Sequence, residues 1–153
     1  MKTLIINKND AVFYLDSNGK WHNKYGEFKK KSISKYFHNS IHKDESGFHL
    51  KQINGDILEK VYFHYEDTAL FVFNIDINSK TNEMELILNT GKKILFTPEN
   101  LFIKNDMLYM KLDDDIIKFN ESCLIKMSKF IDNEKNQYFL NYNNNKYKII
   151  QES

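Results

Sequence analysis

Apolar and polar residues alternate over several short stretches of this chain, which is the pattern that predicts half-buried β-strands. Residues 47–66 show the pattern best, since two alternating stretches flank the turn-forming sequence Asn54-Gly55-Asp56. A second hairpin is predicted at residues 12–25, with Trp21 on its returning strand. Residues 69–77 are apolar at nearly every position, which predicts a central strand covered on both faces. The first half of the chain is therefore expected to be rich in strands.

Two segments have the wider spacing of amphipathic helices. Apolar residues at every fourth position predict a helix over residues 32–42, with Ser32 as its N-cap. Similar spacing predicts a second helix over residues 121–131, with Asn120 as its N-cap. Each half of the chain therefore contains one predicted helix. The polar face of the first helix is expected to carry Lys35, His38 and His42.

The second half of the chain repeats this style without repeating the sequence. We predict an α+β protein, mainly β, with two packed halves of antiparallel sheet and one helix in each. The N-terminal half is expected to span residues 1–78 and the C-terminal half residues 79–153, packed as one compact unit. The short strands of the second half are typical of a strongly bent sheet or a small barrel. These predicted strands cover residues 83–88, 92–96, 101–103, 107–112, 116–119, 138–142 and 146–150.

The composition supports a globular protein and argues against several partners. Of the 153 residues, 41% are apolar and 14% aromatic, which is enough for an ordinary core. The 22 basic and 21 acidic residues nearly cancel, so neither a nucleic acid polymer nor a membrane surface is an expected partner. No apolar run approaches the length of a membrane span or of a signal sequence. Together with the lone Cys123, which cannot form an intramolecular disulfide, this predicts a cytoplasmic location.

No motif of an assembled catalytic site is recognisable. The sequence has no Gly-x-Ser-x-Gly motif, no glycine-rich phosphate loop ending in Lys-Ser or Lys-Thr, and no dinucleotide fingerprint, so we predict no cofactor. Cys123 lies beside the apolar stripe of the second helix and is expected to be a buried structural thiol. Residues 113–115 are three aspartates where one strand reverses into the next, so we expect a turn there rather than a cation site.

His38 and His42 are the one candidate pair of metal ligands. Residues four apart lie on one face of a helix, as a site with two histidine ligands requires. No glutamate stands between them as it does in a metalloprotease helix. A solvated helix face is the favoured interpretation, and a metal-dependent enzyme is the less favoured hypothesis.

Lysines cluster at the entry to the first predicted helix. The free N–H groups of a helix N-terminus attract anions, so this cluster predicts a site for phosphate, a nucleotide or a carboxylate. The alternative is that these lysines only solvate an exposed turn. The residues are Lys29, Lys30, Lys31 and Lys35.

Four features follow one another between Phe13 and Phe71. In order and spacing they resemble the bacterial family known as domain of unknown function 1285 (DUF1285). Members have an Asp-Gly-x-Trp hairpin, a basic amphipathic helix, a Gly-aromatic-x-Leu strand and an acidic Val-Glu-Asp-Ala-Pro-Phe segment. The corresponding parts of this chain are residues 18–22 (Asn-Gly-Lys-Trp-His), the helix containing Tyr36 and Phe37, residues 47–50 (Gly-Phe-His-Leu) and residues 65–71 (Tyr-Glu-Asp-Thr-Ala-Leu-Phe).

The resemblance implies two similar packed halves, the second of them like a pleckstrin-homology fold, with a cleft between them for a nucleotide-like ligand in signalling. The family has no established activity. An aromatic face for stacking and cations for phosphate would form a workable recognition pair. A lysine replaces the family's arginine before the helix, and the proline of the acidic segment is missing. The residues implied in the cleft are Trp21 and His22 as lining or support, Lys30 and Lys31 as positive charge, and Glu66 and Asp67 as polar or structural contacts.

The leading functional hypothesis is a non-enzymatic ligand-binding or regulatory module for a small anionic, nucleotide-like ligand. The alternative is an interaction or scaffold protein that forms a homodimer or a larger complex through exposed sheet edges or aromatic faces. A metal-dependent enzyme built on the histidine pair is the third hypothesis.

Overall fold

The computed structural model describes residues 1–152, which contain sixteen β-strands and two α-helices. This confirms the predicted class, α+β and mainly β. The chain forms two compact units, one of residues 1–69 with 89–91 and the other of residues 70–88 with those from 92 onward. None of the described helices is long and apolar enough to cross a membrane.

The first unit contains two sheets. Its elements are β1 (Lys2–Ile6), β2 (Phe13–Leu15), β3 (Trp21–Asn23), β4 (Gly26–Glu27), α1 (Lys31–Asn39), β5 (Ile41–Asp44), β6 (Gly47–Asn54) and β7 (Ile57–Tyr62). One sheet has the order β1-β7-β6-β5, with β1 parallel to β7, and the other is the antiparallel meander β2-β3-β4. A parallel bridge between Tyr14 and His64 joins β2 to the segment that follows β7. The buried core includes Leu15, Trp21, Ile41, Phe48, Leu50, Val61 and Phe63.

The second unit is built on one sheet of nine strands. Its elements are β8 (Phe71–Ile77), β9 (Met84–Leu88), β10 (Lys93–Leu95), β11 (Leu101–Lys104), β12 (Met107–Leu112), β13 (Asp115–Phe119), α2 (Glu121–Ser128), β14 (Ile131–Glu134), β15 (Gln137–Tyr142) and β16 (Asn145–Glu152). The strand order is β10-β9-β8-β13-β12-β11-β16-β15-β14. This sheet is open, with β10 and β14 at its edges, so the described strands form no closed barrel.

Both units contain the same series of three strands, one helix and three strands. In each series the first strand runs parallel to the end of the series. Strand β2 forms a parallel bridge with the segment just after β7, and β11 pairs in parallel with β16. The registers agree, since Ile41 pairs with Leu50 and Ile131 pairs with Leu140 at the same offset along the chain. The two similar halves implied by the resemblance are therefore present as one topology used twice.

The structure corrects the ends of both predicted helices. Helix α1 ends at Asn39 rather than at residue 42, because Ser40 donates from its N–H to the Phe37 carbonyl and from Oγ to the Tyr36 carbonyl. Its N-cap is Lys30 rather than Ser32, and no side chain caps it. The residues that follow α1 pair with β6 as strand β5, so strand pairing replaces the last helical turn.

Helix α2 begins as predicted and ends early. The Asn120 Oδ1 atom accepts a hydrogen bond from the Cys123 N–H at 2.9 Å, which confirms the predicted N-cap. The helix ends at Ser128, and Ile131 opens strand β14 instead of extending the helical stripe.

Strand β8 is less covered than its sequence predicts. Only Phe71 and Val72 are buried within it, and the later residues are half-buried or exposed. The fully buried residues of the second unit lie mainly elsewhere, including Leu86 on β9, Leu108 and Met110 on β12, Ile117 and Phe119 on β13, and Met127 on α2. A continuous apolar run therefore did not identify the most buried strand.

Candidate functional site

A groove of about 520 Å³ opens on the first unit, between the β2–β3–β4 meander and the start of α1. We call it the Lys30 groove. Its apolar lining comes from Val12, Phe13, Phe28, Ile33 and Phe37, and its remaining lining from Asn23, Tyr25, Glu27, Lys29 and Lys30. A hollow of about 500 Å³ shares part of this lining and adds Tyr14, Lys24 and His64.

Two phenylalanine rings line the Lys30 groove and pack on Trp21. The rings of Phe13 and Phe37 meet edge to face with centroids 4.9 Å apart. The Trp21 ring contacts them at 5.7 Å and 5.3 Å respectively and is itself only 1% exposed. Trp21 therefore supports the groove from behind, and the expected aromatic face for stacking on a ligand is not provided by this residue.

The polar edge of Trp21 is held by a buried histidine. Trp21 Nε1 donates to His38 Nδ1 at 3.2 Å, and Asn89 Nδ2 lies 3.1 Å from the same nitrogen and donates to the Ala69 carbonyl at 3.0 Å. Because Nδ1 accepts, the imidazole is neutral with its proton on Nε2. Burial lowers the pKa of His38 to about 4. The prediction that His38 lies on a solvated helix face is therefore wrong.

His22 lies on the face of the hairpin opposite Trp21, because neighbouring side chains of a strand point to opposite faces. Its Nε2 atom is 2.7 Å from Asp16 Oδ2, and its ring stacks on Tyr14 at 5.0 Å. Asp16 Oδ1 also accepts from two backbone N–H groups of the turn. Burial acts to raise the pKa of Asp16, but these hydrogen bonds outweigh it, so the net shift is downwards. His22 does not line the Lys30 groove, so the expected grouping of Trp21, His22 and the lysines does not form there.

The lysines at the start of α1 are all exposed, and they divide into two pairs. Lys29 and Lys30 line the groove, whereas Lys31 and Lys35 lie further along α1 and do not line it. None of the four forms an ion pair with another described residue. No described carboxylate therefore forms an ion pair with any of the four, although Glu27 shares the groove lining with Lys29 and Lys30.

Glu66 and Asp67 lie in the exposed loop after β7, outside the groove lining. Their implied role as polar or structural contacts stays a prediction. The neighbouring residue Tyr65 has a clearer role, because a Cβ atom on Gly47 would lie 3.1 Å from its Oη atom. With a φ of +111° as well, position 47 favours glycine for both reasons. This contact gives a physical reason for the Gly-aromatic strand of the resemblance.

The two candidate metal ligands are separated onto different elements. His38 is on α1, whereas His42 lies on β5, where its ring stacks on His49 at 6.3 Å. The face of β5–β7 is instead an ion-pair cluster, in which Asp44 Oδ2 accepts from Tyr62 Oη at 2.6 Å and from Lys60 Nζ at 3.2 Å. Residues 1–152 hold no group of three His, Cys, Asp or Glu side chains arranged for a metal ion. The hypothesis built on one helical face is therefore wrong.

The remaining candidates are structural. Cys123 is buried, as predicted, and burial raises the pKa of its thiol, which disfavours the reactive thiolate. The aspartates at 113–115 lie at the reversal between β12 and β13, with Asp113 at a φ of +52°, which confirms the predicted turn.

Sequence reasoning missed the exposed apolar rim of the groove. Val12 is 80% exposed and Tyr25 is 82% exposed, and both line it. They could not be placed because the short strand β4 was not predicted. It returns the chain so that the Phe28 N–H donates to the Trp21 carbonyl at 2.9 Å. The available signal was that Val12 and Tyr25 stand at the two ends of the predicted hairpin over residues 12–25.

Comparison with known proteins gives a fold and no activity. No family model matches the sequence, and no curated protein matches it. A solved DUF1285 family protein from Silicibacter pomeroyi DSS-3 matches with a TM-score of 0.65 and 9% identity, over 97% of this chain and 84% of that one. A DUF1285 family protein from Shewanella baltica OS155 matches with a TM-score of 0.53 and 15% identity, over 77% of this chain and 91% of that one. The resemblance read from residues 13–71 is confirmed as a shared fold.

Proposed function

We propose that this protein is a non-enzymatic binding module that holds a small anionic, nucleotide-like ligand in the Lys30 groove. The observation that carries the proposal is an apolar groove bordered by two lysines that have no carboxylate partner in the described chain. A regulatory role in signalling is part of the same proposal and is supported only by the resemblance, whereas its cytoplasmic location is supported by the lone Cys123 and the lack of a long apolar run. A ligand position between the two halves stays a prediction.

The groove suits a ligand with an apolar body and one anionic end. Its volume of about 520 Å³ is in the usual range for small-molecule sites. Burying apolar ligand surface contributes about 25 cal/mol per Å², whereas an exposed ion pair contributes only about 0.2–1 kcal/mol. The apolar lining is therefore expected to provide most of the affinity, and the lysines to select an anion.

The type of cation limits how the anion is held. All 22 basic residues of the chain are lysines, so no guanidinium is present to grip a phosphate in a bidentate way. Lys29 and Lys30 would act as point charges on flexible stems. We therefore expect modest affinity that falls as salt is added, because exposed charges are screened.

The test compares two lysine pairs of equal charge. Isothermal titration with adenosine monophosphate should show saturable binding to the full chain, and Lys29→Ala/Lys30→Ala should weaken it about tenfold, the factor that corresponds to about 1.4 kcal/mol. Lys31→Ala/Lys35→Ala removes the same charge from neighbouring positions on α1 but lies outside the groove lining, so it should weaken binding by about twofold or less by screened long-range attraction. Equal losses in the two variants, or no binding by the unmodified chain, would contradict the proposal.

A second candidate function is protein interaction through the same rim. It is favoured by one observation, the unusual exposure of Val12 and Tyr25 at 80% and 82%. Either a homodimer or a partner protein could cover them. Analytical ultracentrifugation separates this candidate from the first: self-association that is lost in Tyr25→Ala, combined with no nucleotide binding, would support the interaction function.

A further inference from the structure

A second pocket lies in the second unit, at the side of helix α2, and has a volume of about 260 Å³. We call it the α2 pocket. It is separate from the Lys30 groove and shares no residue with it. The residues that matter for its chemistry are Ile103, Leu108, Leu124, Ser128, Tyr138 and, at the turn, Asp106.

The repeated topology shows which residue of the first unit corresponds to Leu108. Trp21 on β3 pairs with Leu15 on β2, and Leu15 is the residue after Tyr14, which forms the parallel bridge. Leu108 on β12 pairs with Ile103 on β11, and Ile103 is the residue after Phe102, where the parallel pairing of β11 with β16 starts. Leu108 therefore stands where the first unit has Trp21.

The helices provide a second, independent correspondence. The backbone hydrogen bond that closes α1 accepts at the Phe37 carbonyl, and the one that closes α2 accepts at the Met127 carbonyl. The next residues along the chain are His38 and Ser128. Ser128 therefore stands where the first unit has the imidazole that accepts from Trp21.

These two replacements explain the α2 pocket. The first unit has an indole and an imidazole at these positions, whereas leucine and serine are much smaller. Leu108 is fully buried and Ser128 is exposed, and both line the pocket, which opens to solvent. A space framed like the Trp21 position but lined by smaller side chains is therefore shaped for a molecule that resembles the missing side chain.

We propose that the α2 pocket binds a small planar bicyclic heteroaromatic molecule with one N–H donor, an indole-like ligand that is neutral or cationic. A cavity of about 150 Å³ accommodates benzene, so a pocket of about 260 Å³ has room for two fused rings and is small for a nucleotide. The Asp106 carboxylate at the turn disfavours an anionic ligand. This site is independent of the ligand proposed for the Lys30 groove.

Ser128 supplies the hydrogen bond that positions the ring. Its Oγ atom donates to the Ile125 carbonyl at 2.6 Å, so the hydroxyl proton is engaged and the oxygen lone pairs are available as acceptors. The ligand N–H would donate to this oxygen, as Trp21 Nε1 donates to His38 Nδ1 in the first unit. An analogue without the N–H should therefore bind less well.

The primary experiment follows indole binding by two-dimensional ¹H–¹⁵N nuclear magnetic resonance of the full chain. Saturable shifts should concentrate at residues of the α2 pocket, and Leu108→Trp should weaken binding at least tenfold because it rebuilds the first unit's side chain in the pocket. Leu95→Trp is the matched control, since it adds the same side chain at a position on β10 that is 62% exposed. That control should bind indole as the unmodified chain does.

Additional variants and a second ligand complete the experiment. Leu124→Trp replaces Leu108→Trp if the latter fails to fold, because Leu124 lines the pocket and is only half-buried. Indole should bind about fivefold more tightly than 1-methylindole, and Ser128→Ala should remove that difference. Absence of saturable binding by the unmodified chain, or unchanged binding in the folded tryptophan variants, would overturn the proposal. Indole shifts at residues of the α2 pocket, with none at Phe13 or Phe37 of the Lys30 groove, separate the two sites.

Discussion

Under helix α1 the indole of Trp21 is enclosed by Phe13, Phe37 and Phe63 and hydrogen-bonded to His38. At the corresponding place under α2, the second unit has Leu108 and Ser128 beside a pocket. The strand registers and helix ends agree in the two units although these side chains do not. The difference teaches that backbone pairing maintains the arrangement of strands and helix in each unit. A few large side chains decide whether the space beside the helix is packed core or an open pocket.

The largest expected effect comes from emptying the filled position. Trp21→Leu should lower the free energy of unfolding by about 3 kcal/mol, because large-to-small core changes lose both apolar burial and packing. The measurement is urea unfolding followed by far-ultraviolet circular dichroism, since the chain has no other tryptophan to report by fluorescence.

The reverse substitution is the control for that prediction. Leu108→Trp adds bulk beside the α2 pocket, so its cost should stay near the lower end of the about 1–3 kcal/mol that added bulk in a core costs. A cost for Leu108→Trp as large as that for Trp21→Leu would show that the two positions are not equivalent.

The next effect is a pH dependence that comes mainly from the first unit's buried pair, Trp21 and His38. Burial lowers the folded-state pKa of His38 to about 4 from 6.5, so between these values the unfolded chain binds more protons than the folded chain. Stability should therefore fall as the pH falls from about 6.5 to 4, by at most about 3 kcal/mol from this group. His38→Asn keeps an acceptor for Trp21 and should remove the part of the slope that comes from His38, as measured by urea unfolding at a series of pH values. A smaller part should remain, because burial also lowers the pKa of His49.

The second polar cluster titrates in a separate window. The Tyr62 hydroxyl is the main cause that lowers the pKa of Asp44 to about 2 from 3.8. The stabilising contribution of the Asp44 carboxylate is therefore present above pH 3.8 and is lost as the pH falls towards 2.

The matched control for His38→Asn is His42→Asn, because it changes an exposed histidine on β5 without touching Trp21. A slope between pH 6.5 and 4 that is as steep in His38→Asn as in the unmodified chain would assign it to another group.

The smallest effect concerns the turns that open β6 and β15. Gly47→Ala should cost about 1–2 kcal/mol, because alanine is strained at a φ of +111° and its Cβ would lie 3.1 Å from Tyr65 Oη. In the second unit the positive φ falls instead on Lys135 and Asn136, at 51° and 65°. Gln137→Ala, at the position matching Gly47, should change stability by less than about 0.5 kcal/mol. Thermal unfolding of both variants checks the contrast.

Most local signals of the sequence were reliable, the exception being Ser32, which does not cap α1. The turns at residues 16–19 and 54–56 lie where they were predicted, and Asn120 caps α2. Asp16 shows why: its carboxylate bonds N–H groups only two and four residues away. Interactions over so few residues depend only on the local sequence, so a single sequence can reveal them.

The ends of the two helices, and the strands β5 and β14 that follow them, were not predictable in the same way. Residues 41–44 and 131–134 follow the two helices and share little sequence beyond the leading isoleucine. They become strands because β6 and β15 pair with them, and the Lys51 and Asn141 N–H groups donate to carbonyls just after each helix. Such pairing overrides the four-residue spacing that predicted longer helices.

The candidate site was predictable only in part. The lysine run pointed to Lys30, but the sequence did not show that Val12 and Tyr25 would be exposed beside it or that Trp21 would be buried behind it. Strand alternation separates Trp21 from His22, yet which of the two faces the helix depends on the packing of α1 over the meander.

The sequence by itself determined the class of the fold, the turns, the N-cap of α2 and the absence of a recognisable catalytic motif, because each of these depends on residues close together in the chain. Only the tertiary structure decided that the topology is used twice, that Trp21 and His38 form a buried pair, and that the second unit has a pocket in their place. Those outcomes depend on contacts between distant residues, whose burial and fit no local pattern records.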